Sequence, residues 1–184
     1  MTFVGTRRAA AEAVDRAGYE HDTLRVRGLE RRFTLRNLGA LALALWATPR
    51  AASIQRRRDA DVVLGSGSYV VGPMALAAKL GRRGLVLMEA DSHMGLANRI
   101  CAPLARRVTL AFPLPGRAGR RYRVTGRPVG SAIREATRTG GRRAFGLDPD
   151  ATVVLVVGGS QGARSLNRAA VEAFGDDPPF EVLH

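Results

Sequence analysis

With 184 residues, 46% of them hydrophobic, the chain can fill a core of ordinary domain size, and 29 Lys plus Arg against 16 Asp plus Glu give it a net charge of +13. That excess, arginine in every case but Lys79, predicts attraction to polyanions such as phosphorylated substrates or anionic lipid. Aromatic residues at 5% are too few for a stacking platform, and no helix-turn-helix, zinc-finger or RNP-like spacing occurs, so no nucleic-acid partner is expected.

In chain order, TFVGT (residues 2–6) is a short apolar run, followed by the helical RRAAAEAVDRAG with Gly18 as its stop. Met1 lies directly against that strand, so an earlier strand and helix are expected to be missing from the domain. HDTLRVRG (21–28) alternates like a strand, and residues 38–57 read as a helix. Within that helix the longest apolar run, LGALALALWA, is about half the roughly 20 residues of a membrane span. No signal-peptide pattern opens the chain, and the expected compartment is the cytoplasm. DVVLGSG (61–67) reads as a buried strand, 71–80 as a helix ending at Gly81, and RGLVLMEA (83–90) as another buried strand. GLANRICAPLARR reads as a helix, RVTLAF (107–112) and YRVTG (122–126) as strands. Cys101, the single cysteine, cannot form an internal disulfide and suits a small core position. Strands alternating with helices predict a parallel sheet covered on both faces.

Residues 127–150 break the rhythm with one short helix bounded by Pro128 and by Gly140 and Gly141, which reads as a linker. After it VVLVVGGSQGARSLNRAAVEAF (153–174) gives a buried strand, a glycine turn and a helix, and FEVLH starts another strand. The expected organisation is a domain over residues 1–127, a linker over 128–150 and the beginning of a second domain over 151–184. So short a second segment cannot bury a core of its own.

Three loops could carry chemistry. GSGSYVVGP (65–73) leaves a strand and enters a helix; its glycines let a ligand approach the backbone, the helix start attracts phosphate, and Ser66, Ser68 and Tyr69 offer hydroxyls. A plain strand-to-helix turn is the alternative. GGSQGAR (158–164) has the same setting, with Ser160 and Gln161 to hydrogen-bond and Arg164 to neutralise a diphosphate. Neither loop has the dinucleotide fingerprint or the Gly-Lys-Ser/Thr of a P-loop. EADSHMGLAN (89–98) sits at the carboxyl end of a buried strand, where ligands bind in open parallel sheets. Glu89, Asp91 and His93 lack a second histidine at ligand spacing, so neither a metal nor another cofactor is expected.

FVGT, DVVLGSGSYVVGP, EADSHMGLANRICAPLARRVTLAFP, VTGRPV and VVGGSQGARSLN occur together in an order that resembles the MurG family, the transferases that add N-acetylglucosamine to lipid I. The resemblance covers nearly the whole chain. It implies an α/β, GT-B-like fold: a Rossmann-type parallel-sheet N-terminal domain, here without its first strand and helix, plus the first strand and helix of a second Rossmann-like domain. It further implies an inverting, metal-independent transfer from UDP-N-acetylglucosamine to the muramyl 4-hydroxyl of lipid I, giving lipid II at the cytoplasmic face of the membrane. By this likeness Gly65, Ser66, Gly67, Ser68, Tyr69 and Glu89 serve the acceptor and its diphosphate. Gly159, Ser160, Gln161, Gly162 and Asp91 serve the donor.

Departures from the family are specific. Its H-E-Q-N reads Met88-Glu89-Ala90-Asp91, so Asp91 keeps an acceptor where the family has an amide. Its G-N-P-V-R reads Gly126-Arg127-Pro128-Val129-Gly130, and its G-G-T-G-G-H loop, with the favoured base, is absent. The catalytic base is therefore unassigned, and the chain by itself is expected to be inactive. Leu41, Leu45, Trp46 and Arg50, with Leu38, Arg36 and Arg56 to Arg58 near them, form a basic, apolar stretch suited to an anionic membrane surface. The same stretch also fits a core-facing helix. Competing readings are a Rossmann-type nucleotide-binding protein and a basic peripheral membrane module without transferase activity.

Overall fold

Short apolar runs separated by helices become parallel strands. The computed structural model describes residues 1–6, 10–26, 35–159 and 162–184, with the backbone alone at residues 10, 35–38, 40 and 41. The chain divides into two compact units, Met1–Pro128 and Val129–His184.

The first unit runs β1 (Thr2–Gly5), α1 (Ala10–Arg16), β2 (Glu20–Thr23), α2 (Leu35–Arg57), β3 (Val62–Gly65), α3 (Val71–Leu80), β4 (Gly84–Glu89), α4 (Leu96–Cys101), β5 (Arg107–Leu110) and β6 (Tyr122–Val124). β1 and β2 pair in parallel, Thr2 opposite Glu20. β3, β4, β5 and β6 form a separate four-stranded sheet in that order, every pair parallel. Along β4 burial alternates, Leu85, Leu87 and Glu89 turning inward, so one face of the sheet carries the core. Leu87, Val108 and Leu110 pack there against Ala51 and Ile54 of α2 and Ala75 and Ala78 of α3. Alanines at this contact let the two helix backbones approach closely. Gln55, also buried between them, donates from Nε2 to the Met74 carbonyl at 2.9 Å.

Two expectations shift in this unit. β2 ends at Thr23, with Leu24 donating its N–H to the Gly5 carbonyl, because β1 offers only four residues to pair with. The end of the expected strand, residues 27 and 28, lies outside the described residues, as do 7–9 of the first expected helix. The helix expected over 95–107 stops at Cys101 and tightens into a 3-10 turn, Ala102–Leu104, since Pro103 has no N–H to continue the α pattern.

The second unit contains α5 (Ser131–Arg134), α6 (Arg138–Phe145), β7 (Val153–Leu155), α7 (Arg164–Phe174) and β8 (Glu181–Leu183), with β7 and β8 parallel. Gly140 and Gly141 do not end a helix; they lie inside α6, because Thr137 caps it by accepting the Gly140 N–H on Oγ1 at 3.1 Å. Gly146 then closes α6 in the left-handed region at φ +67°. The run VVLVV is not buried as expected: Leu155 is 62% and Val157 70% exposed. Among the described residues of this unit there are two strands and one long helix, which leave much of β7 uncovered.

Candidate functional site

Because β3, β4, β5 and β6 are parallel, their carboxyl ends share one edge, and the β3–α3 and β4–α4 loops meet there. Gly65 ends β3 in a tight spot: a Cβ would fall 2.9 Å from Leu87 Cδ2 and 3.0 Å from Val71 Cγ1. Gly67 turns the chain at φ +85°, where a Cβ would sit 3.3 Å from Asn98 Nδ2. Ser66, Gly67, Ser68 and Tyr69 are exposed. The Ser68 carbonyl accepts the Val71 N–H at 3.0 Å and the Val70 carbonyl the Met74 N–H at 3.3 Å, and Pro73 has no N–H, so in the first turn of α3, which has no side-chain cap, the Gly72 N–H is the one left for an outside acceptor.

Glu89 closes β4 and is 5% exposed. Its Oε1 accepts the Asp91 N–H at 3.2 Å, and its Oε2 accepts the Gly95 N–H at 2.8 Å and Asn98 Nδ2 at 3.0 Å. Asn98, fully buried, also donates from Nδ2 to the Met88 carbonyl at 3.0 Å. The carboxylate thus folds its own loop around itself and turns away from solvent. Asp91 and His93 stand exposed on that loop. Among the described residues no three His, Cys, Asp or Glu side chains gather as metal ligands.

In the second unit the turn after β7 leads into α7. A Cβ on Gly158 would meet the Ala163 Cβ at 3.0 Å, and Gly162 takes φ +79° with its N–H donated to the Gly159 carbonyl at 2.8 Å. Ser160 and Gln161, the expected donor contacts, lie outside the described residues. Gly162, Ala163, Arg164, Asn167 and Arg168 line a hollow of about 400 Å³ at the start of α7. Arg164 and Arg168 are one turn apart and so share a helix face. His184 Nε2 lies 3.3 Å from Asn167 Oδ1 beside them.

On α2, Trp46 is 78% and Leu45 55% exposed, and Arg50 is exposed one turn after Trp46. The side chains of Arg36, Leu38 and Leu41 lie outside the described residues. Arg57 and Arg58 do not belong to a free basic patch: Arg57 binds Asp22 at 2.6 Å, and Arg58 binds Asp22 at 2.9 Å and Glu20. These pairs fasten α2 to β2. Arg58 holds the Glu20 carboxyl below its ordinary range, and the two carboxylates raise Arg58 in return. No helix among the described residues is long and apolar enough to cross a membrane. Cys101 is buried as expected, and desolvation pushes its thiol up.

Asn98 was not foreseen as an organiser. Its sequence signal is a polar residue on the inward side of α4, nine positions after Glu89.

Residues 1–110 match the glycosyltransferase family 28 N-terminal domain. A UDP-N-acetylglucosamine--N-acetylmuramyl-(pentapeptide) pyrophosphoryl-undecaprenol N-acetylglucosamine transferase of Moorella thermoacetica is 42% identical over 92% of this chain and 47% of its own length. The protein of the same description from Desulforamulus reducens is 36% identical over 100% of this chain and 51% of its own. A crystal structure of Acinetobacter baumannii MurG superposes with a TM-score of 0.67 at 24% identity, over 96% of this chain and 46% of that one, which is a likeness of fold. The chain spans about half the length of the curated relatives it matches. These matches meet the MurG resemblance carried by the motif order, and on a family match across more than half of its residues the chain belongs to glycosyltransferase family 28.

Proposed function

We propose that this chain supplies the acceptor-binding half, and the opening of the donor-binding half, of an enzyme that moves N-acetylglucosamine from UDP-N-acetylglucosamine to the muramyl 4-hydroxyl of lipid I. The observation that supports it best is the pair of glycine turns, each leaving a parallel strand and entering a helix whose start has no side-chain cap. Such turns offer backbone N–H groups and a positive helix end to a diphosphate. In the reaction the 4-hydroxyl oxygen attacks the anomeric carbon, the bond to the UDP oxygen breaks with inversion, and the hydroxyl proton passes to a base that none of the described residues is assigned to be.

In this reading the exposed Ser66, Gly67, Ser68 and Tyr69 face the acceptor's diphosphate. Gly65 and Glu89 act by position, Gly65 by its close packing on β4 and Glu89 by holding the neighbouring loop. Gly159, Ser160, Gln161 and Gly162 serve the donor nucleotide, with Arg164 and Arg168 to balance the charge of leaving UDP. Asp91, exposed on its loop, accepts hydrogen bonds from donor hydroxyls. Leu41, Leu45, Trp46 and Arg50 rest the enzyme peripherally on anionic lipid at the cytoplasmic face, where lipid I presents its head group.

A chimaera tests this. Residues 1–184 replace the matching segment of the Moorella relative, and product is read with labelled UDP-N-acetylglucosamine and a lipid I analogue. Lipid II formed by the chimaera, with none formed by the 184-residue chain alone, is the expected result. A chimaera that folds and binds UDP yet makes no lipid II would sink the acceptor assignment; turnover by the chain alone would overturn its inactivity.

A further inference from the structure

Between Ser92 and Pro128 the chain carries eight arginines and no Asp or Glu, so much of its net charge of +13 falls on this stretch. β5 and β6 gather three of them on one face. Val108 and Leu110 are buried and Tyr122 packs against the core, so strand alternation turns Arg107, Arg121 and Arg123 the other way, around Thr109. All three arginines are exposed. Arg123 is the register partner of Thr109, and Arg107 and Arg121 stand one residue before the paired Val108 and Tyr122. Like charges side by side on neighbouring strands destabilise a sheet, and none of the three forms an ion pair with a described residue.

β6 is also the outer strand of its sheet, with β5 on one side and, among the described residues, no strand on the other. The Arg121 carbonyl accepts the Val108 N–H at 2.8 Å, and the Thr125 N–H donates to the Leu110 carbonyl at 3.0 Å. In a parallel strand successive residues turn their backbone groups to alternate sides. Arg121, Arg123 and Thr125 therefore face β5, while Tyr122 and Val124 face outward. The Tyr122 N–H is taken by the Gly119 carbonyl at 3.1 Å, which leaves the Tyr122 carbonyl and both backbone groups of Val124 open among the described residues. The Val124 side chain, 55% exposed, lies on the face away from the arginines.

We propose that this edge is a docking strand for a partner protein, which adds to β6 an extended segment of alternating acidic and apolar residues. The segment's backbone pairs with Tyr122 and Val124, its carboxylates meet Arg121 and Arg123, and its apolar residues lie against Val124. The open backbone groups select a polypeptide. A phosphate backbone or an anionic lipid surface could answer the arginines but brings no donors at strand spacing for the two outward carbonyls. This goes beyond the transfer reaction and does not depend on it.

The probe is a synthetic peptide of about eight residues alternating Glu and Val, with blocked ends, added to the full chain. Binding is read by fluorescence anisotropy, and amide hydrogen exchange is followed at Val124, with the Leu87 amide as internal standard. Slowing of about tenfold or more at Val124, with Leu87 unchanged, is expected; a Lys/Val peptide should give none. Arg121→Ser combined with Arg123→Ser, both at exposed positions, should leave the free chain folded and weaken binding about tenfold or more. Val124→Pro removes an outward N–H without touching the β5 ladder, a change that an edge strand tolerates, and should weaken binding by about as much. A peptide N-methylated on the side toward β6 serves the same purpose if that variant does not fold. Absent binding, binding without protection at Val124, or binding that survives both changes would overturn the proposal. So would inorganic polyphosphate or anionic vesicles that bind through Arg121 and Arg123 where the peptide does not, because the arginines would then serve phosphate or a membrane.

Discussion

The two glycine turns have the same local grammar and very different footings. The β3–α3 turn stands on a four-stranded sheet whose inner face is packed by two long helices, and Leu87 and Val108 beneath it are fully buried. The β7–α7 turn stands on two three-residue strands, and among the described residues beyond Pro128 only Ala170 counts as buried. A glycine turn between strand and helix is thus a local matter of glycine placement, whereas its rigidity is borrowed from the sheet below it. The first unit can lend it and the second, as described, has little to lend.

The sharpest way to break this contrast is in the core. Leu87→Ala should destabilise the first unit by about 2–5 kcal/mol, and Leu166→Ala, at a 41% exposed position of α7, should cost the second unit less than about 1 kcal/mol. Cys101, 3% exposed, is a built-in reporter: a thiol reagent should label it only as the first unit opens, and at lower urea in the Leu87 variant. Equal shifts from both substitutions would erase the distinction.

The next effect is in the loop that braces the first turn. Glu89→Gln places an amide where three N–H donors converge and should cost roughly 1–3 kcal/mol in denaturant titrations, with faster exchange at Gly95. Smaller again is Gly67→Ala, about 1 kcal/mol for a side chain at φ +85°. Its control is Gly72→Ala, in helix and with open space around the new methyl, which should stabilise by about 0.5–1 kcal/mol.

Acid gives the smallest and most local effect. Arg58 lowers the Glu20 carboxyl from 4.5, so the β2–α2 attachment is fully supported above that value and loses support as pH falls below it. Exchange at β2 amides should therefore rise below about pH 4.5 in the wild type, and Glu20→Gln should flatten that dependence. Since the pair is open to solvent, added salt should mute it as well.

Much of this was legible from pattern alone. β3, β4 and β5 are apolar runs too short for helices and flanked by helical segments, and Gly65 and Gly67 stood at the strand end where the turn had to be. What escaped depended on partners distant in sequence. The reach of β2 was set by the length of β1, and the course of α6 through Gly140 and Gly141 by the hydroxyl of Thr137. Arg57 and Arg58 looked like free charge because Asp22 lies 35 and 36 positions away. Glu89 was marked by its motif, but its inward turn follows from Asn98, which no spacing rule singles out. The exposure of β7 shows the same limit, since an apolar strand is buried only where other elements arrive to cover it.

The bracing of residues 89–98 by Glu89 has a kinetic consequence. A loop that must order itself around an incoming ligand charges that ordering entropy against affinity and slows capture by the time the rearrangement takes. Here the ordering is completed within the free chain, by a carboxylate that accepts its own loop's donors. If this edge of the sheet takes the acceptor as proposed, the 89–98 loop adds no ordering cost of its own to that binding.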